Sequence, residues 1–95
     1  MVKRPRYRIR LRCAGLRENE VSVAPKDILE GFSHRPWHKN VSSHWDGTYL
    51  WLEAENDYDP DGRALWDEFS DEVTANVNWT GPINISIVSV DKLED

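Results

Sequence analysis

The stretch Val41-Ser42-Ser43-His44-Trp45-Asp46-Gly47-Thr48-Tyr49-Leu50-Trp51-Leu52 decides the fold. Two strand-like runs flank Asp46-Gly47. Asp-Gly in that setting predicts a two-residue type I′ hairpin, because glycine takes the positive φ this turn demands. The strands fall at about 40–45 and 48–55. A two-residue loop sets Trp45 opposite Thr48, Ser43 opposite Leu50 and Val41 opposite Leu52. On the other side His44 faces Tyr49, Ser42 faces Trp51 and Asn40 faces Glu53. Leu50, Leu52 and Ala54 then form the core side. Tyr49, Trp51, Glu53 and Glu55 line the opposite side.

Upstream, residues 6–13 alternate strictly. Tyr7, Ile9, Leu11 and Cys13 point one way, and Arg6, Arg8, Arg10 and Arg12 the other. Period two marks a strand with one apolar face. A short helix is expected over 25–33. Pro25 suits its first turn, Ile28, Leu29 and Phe32 give a small stripe, and Gly31 weakens it. Pro36 makes residues 34–39 a loop.

Downstream, a helix is predicted over 60–76. Asp59 is a good N-cap and Pro60 a good first helical residue. Leu65, Trp66, Phe69, Val73 and Val77 recur at spacings of three and four. A last strand covers 83–90, with Ile83, Ile85 and Ile87 inward and Asn84 and Ser86 outward. Val88 and Val90 then fall on the outer face, and residues 91–95 read as a frayed tail. The order strand, helix, hairpin, helix, strand is the ferredoxin-like β-α-β-β-α-β pattern. It implies a four-stranded antiparallel sheet with both helices on one face, in a single domain over 1–95.

Charge is polarised. The chain carries 12 Lys/Arg against 17 Asp/Glu, a net of -5. Residues 1–50 hold ten basic and five acidic side chains, while 51–95 hold two and twelve. Either the halves neutralise each other within the fold, or each faces a partner of opposite sign. The acidic total weighs against nucleic acid, because phosphate neutralisation needs accessible basic groups.

No apolar run is long enough to span a bilayer, and the basic start lacks the apolar stretch of a signal peptide. A single cysteine excludes an internal disulfide and a cysteine zinc cluster, and points to the cytoplasm. Cys13 reads as a small buried hydrophobe.

Tyr49 and Trp51 in mid-sheet need a cover. With His44, Arg6, Arg8 and Arg10 they suit a protein partner, aromatic rings at the centre and arginines at the rim. A second copy of the chain would serve equally. The same components could stack bases, but Glu53 and Glu55 stand where a polyanion would pass. Arginine stems lying over the rings would remove the need for any partner.

On the second helix Asp67, Asp71 and Glu72 suggest a patch for a basic partner. The leading functional expectation is therefore a small acidic protein-binding module, of inhibitor or immunity type. The alternatives are single-stranded nucleic-acid binding through the sheet and a purely structural homo-oligomeric domain.

Asp57, Asp59, Asp61 and Glu68 match the D-x-[DN]-x-[DN]-G-x5-E calcium loop, with Gly62 in place. Pro60 inside the loop and the apolar Leu65 count against it. The competing reading is an acidic helix start that suits the helix dipole. A zinc site from His34, His38 and Asp46 has weaker support still. No nucleophile elbow or phosphate loop exists, so no catalysis and no cofactor are expected.

Overall fold

In the computed structural model, residues 5–93 are described. The elements are β1 (Arg6–Ala14), α1 (Ala24–Phe32), β2 (Lys39–Trp45), β3 (Leu50–Asn56), α2 (Arg63–Asn76) and β4 (Asn84–Leu93), with a 3-10 turn at Glu18–Glu20. All pairings are antiparallel and the strand order is β2-β3-β1-β4. This is the ferredoxin-like sandwich, with β1 and β3 in the middle and β2 and β4 at the edges.

The alternation in β1 and β3 buries one face. Ile9, Leu11, Cys13, Leu50, Leu52 and Ala54 are fully enclosed. Ile28 and Phe32 from α1 and Leu65, Phe69 and Val73 from α2 close over them. Each of the Ile, Leu, Val and Phe side chains contributes about 1.5–3 kcal/mol relative to exposure, and Ala54 and Cys13 less. Gly31, a poor helix former, has a packing reason. A Cβ there would lie 1.9 Å from the Glu72 carboxylate, so glycine lets α1 and α2 approach.

Three details differ from the sequence expectation. The hairpin pairs Trp45 with Leu50, Ser43 with Leu52 and His44 with Trp51. The register is thus two residues away from the expected one, and Asp46–Tyr49 form the loop. Asp46 is the cause: its Oδ1 accepts the N–H groups of Thr48 and Tyr49, at 2.8 and 2.6 Å. That side-chain turn replaces the tight backbone turn. A shift of two preserves the faces, so Leu50 and Leu52 still point inward.

Secondly, α2 begins at Arg63, not at Pro60. Asp59 still caps it, from outside the helix. Its carboxylate accepts the N–H of Ala64 at 3.1 Å and of Leu65 at 3.0 Å. The chain gets from Asp59 to the helix through Gly62, at φ 78.

Thirdly, β4 runs on through residues 91–93, which were expected to fray. A register shift facing Arg10/Leu11 moves the later residues back into phase. Val90 now pairs with Ile9 and packs on the core, so it leaves the outer face. Val88 stays exposed. One extra residue in a strand reverses every side chain beyond it.

Candidate functional site

The helix-free face is built from the alternate residues of β1 and β3. Arg8 pairs with Glu55, Arg10 with Glu53 and Arg12 with Trp51 across the central strands. Arg6 Nη2 lies 2.6 Å from Glu55 Oε1, and Arg8 Nη2 lies 3.3 Å from Glu55 Oε2. Arg8 Nε is also 3.6 Å from Glu53 Oε1. Glu55 is buried under the two guanidiniums.

The other half of this face is aromatic. The Arg10 guanidinium sits 5.3 Å from the Trp51 ring centre, and that of Arg12 sits 4.4 Å from Tyr49. His44 stacks on Trp51 with a 9° interplanar angle, and Tyr49 meets the same indole edge-on. Trp51 Nε1 donates to Asp46 Oδ2 at 2.7 Å. These N–H donors, that of Tyr49 above all, hold the Asp46 carboxyl down to about 2. The rings expected to need a partner are thus largely covered by the chain's own side chains.

The most exposed aromatic residues lie elsewhere. Trp37 is 48% and Tyr58 39% exposed, at the end of the sheet where β2 begins and β3 ends. Between them stands His38, its ring fully enclosed. Its centroid is 5.9 Å from Trp37, 6.0 Å from Tyr58 and 5.6 Å from Phe32.

Asn56 Oδ1 accepts the N–H of Tyr58 and of Asp59, so its amide nitrogen turns toward the ring, 3.5 Å from Nδ1. That assigns Nδ1 as acceptor and Nε2 as the donor to Glu68 Oε2. Glu68 Oε1 lies 3.8 Å from Arg35, which also binds Glu72 Oε2 at 2.8 Å. Burial, and then the nearby carboxylates of Glu68 and Asp59, push the Tyr58 hydroxyl up to about 12.

This cluster was not legible in the sequence. Its members come from a loop, a strand end and a helix, and the partners His38 and Glu68 are 30 residues apart. The one available signal was a histidine next to Trp37 in a loop, which the sequence offered only as a zinc ligand.

On α2, Asp67 and Asp71 are exposed, as a docking patch would need. Glu72 is not available to it. Its carboxylate is turned inward onto Arg35 and Asn76.

The aspartate loop matches calcium-loop spelling but not its geometry. Asp59 is committed to the α2 N–H groups, Asp61 to the N–H of Arg63, and Glu68 to His38. Among the described residues no group of three or more His, Cys, Asp or Glu could hold a metal ion. His34, His38 and Asp46 are likewise separated, with Asp46 at the far end of β2 from His38. No helix among the described residues is long and apolar enough to cross a membrane. No protein-family model, curated protein or solved structure matches the chain.

Proposed function

We propose that this chain is a small binding module for a basic protein partner, of inhibitor or immunity type, docking at the Trp37–Tyr58 end. The carrying observation is the pair of exposed rings at one end of the sheet. Asp61 is exposed on the loop that carries Tyr58, while Glu68 beneath them is already paired with His38 and Arg35. A lysine or arginine side chain gains from the ring faces and from the exposed Asp61 carboxylate. The net charge of -5 adds long-range attraction for a basic partner.

A binding role suits the enclosed His38 ring better than catalysis does. Its nitrogens already face Glu68 and Asn56 and its ring is enclosed. The single buried thiol of Cys13 fits a cytoplasmic setting. Single-stranded nucleic acid is the weaker reading, because Arg6 and Arg8 are taken by Glu53 and Glu55. The homo-oligomer reading rests on Ile87 and Val88, exposed on the edge strand β4.

The test is affinity capture from nuclease-treated extract with three baits: wild type, Trp37→Ala/Tyr58→Ala and Trp51→Ala. A stoichiometric basic protein held by wild type and Trp51→Ala, but lost by the double variant and by raised salt, supports the proposal. Retention by the double variant rejects the site. Specific recovery of nucleic acid alone from untreated extract rejects the function.

A further inference from the structure

We propose that Arg10 and Arg12 form a second docking site, for an acidic extended protein segment, on the helix-free face of the sheet. The arginines of this face are not equivalent. Arg6 and Arg8 are ion-paired to Glu55 and Glu53. Arg10 and Arg12 lie on the rings of Trp51 and Tyr49, and among the described residues neither has a carboxylate partner. On β4 they face Ser89 and Ser86, which bring no charge; on β3 Arg12 faces Trp51 and Arg10 faces Glu53, whose carboxylate contacts Arg8.

Contact with a ring face takes up no carboxylate or carbonyl acceptor, so the guanidinium N–H groups stay available. Their planar edge grips a carboxylate through two parallel hydrogen bonds. The ring also restricts the long side chain beforehand, so less freedom is lost on docking. Arg10 and Arg12 are two residues apart on one strand, hence roughly 6.5–7 Å apart along it. Carboxylates at alternate positions of an extended segment repeat at the same interval. Charge complementarity and spacing therefore select the same occupant.

The surrounding acids separate such a segment from a nucleic acid. Asp46 lies at the indole N–H of Trp51, and Glu53 stands directly across from Arg10 with its carboxylate toward Arg8. A protein segment can confine its charge to two carboxylates. A phosphodiester chain carries charge onward in both directions and meets these acids.

The experiment uses the full chain and a fluorescein-labelled Thr-rich peptide with Glu at two alternate central positions only, read by anisotropy at low salt. Expected is saturable binding that weakens about tenfold or more in Arg10→Gln/Arg12→Gln, since two charge-assisted pairs are lost. Arg10→Lys/Arg12→Lys, which keeps charge but not the fork, is expected to fall between. Trp37→Ala/Tyr58→Ala is expected to bind the peptide as wild type does, which separates this site from the one proposed above.

In wild type, the Trp51 indole N–H resonance is expected to shift during the titration. No shift at Trp51 with saturating peptide overturns the proposal, as does equal binding by the Gln variant. Tighter binding of oligo-dT of matched length overturns it in favour of nucleic acid. A Trp51 shift on concentrating the protein alone, unaffected by peptide, overturns it in favour of a second copy.

Discussion

His38 Nε2 donates to Glu68 Oε2, and this bond ties the loop before β2 to the middle of α2. It is the centre of a partly buried polar network with Asn56, Arg35 and Glu72. Breaking it is costly where a group is cut off from water, as Asn56 and the His38 ring are. His38→Ala is expected to destabilise the fold by about 2–4 kcal/mol, combining a cavity with unpaired polar groups. His38→Phe fills the space and should cost less, about 1–3 kcal/mol, since Glu68 reaches solvent. Urea unfolding measures both. A loss below about 0.5 kcal/mol for alanine, the level of an ordinary surface change, would remove the bracing role.

Gly62 and Gly47 separate two kinds of glycine cost. Both have positive φ, 78° and 98°. A Cβ at Gly62 would meet methyl groups of Ile9, Ile87 and Val90 at 3.2, 3.3 and 3.3 Å, whereas Gly47 faces open space. Gly47→Ala is expected to lose about 1 kcal/mol from backbone strain alone. Gly62→Ala should lose about 1 kcal/mol more through crowding. Equal losses in thermal or urea unfolding would show that the core yields freely around Gly62.

Asp46 makes the hairpin acid-sensitive. Its ordinary value of 3.8 falls to about 2 in the fold, through the N–H groups of Tyr49, Trp51 and Thr48. A lowered folded value means the stabilisation is fully present above 3.8 and is lost as pH falls toward about 2. Asp46→Ala should therefore be less stable than wild type at neutral pH. The gap should narrow across that acid window. A gap independent of pH in urea unfolding from neutrality to pH 2 would show that the carboxylate charge is not what holds the turn.

Cys13 is fully enclosed, and burial pushes its thiol up to about 11. The thiolate is the reactive species, so both access and ionisation protect it. Native protein is expected to resist a thiol reagent at neutral pH and to react once unfolded in urea. Rapid labelling under native conditions would mean that β1 opens locally far more often than its core position implies.

The strands, the helices and their order were legible because each depends on near neighbours. Alternation in residues 6–13 puts Ile9, Leu11 and Cys13 on one face whatever lies across from them. The spacing of Leu65, Phe69 and Val73 does the same for α2. The composition of the sheet face was legible too, because alternation places Arg6, Arg8, Arg10, Glu53 and Glu55 on it, but not that Arg6 and Arg8 take the acids while Arg10 lies on Trp51. The Glu72 role and the Trp37–Tyr58 end were not. A carboxylate on a helix gives no sign of whether an arginine from another element will turn it inward.

By itself, then, the sequence determined the element types, their buried faces and the β-α-β-β-α-β topology, since periodicity and turn chemistry act over a few residues. Tertiary structure decided the hairpin register, the bulge that returns Val90 to Ile9, the distant capping of α2 by Asp59 and the enclosure of His38. Each of these is a choice among local conformations of similar energy. Contacts from remote parts of the chain decide it, by making one choice fill space and pair its buried polar atoms.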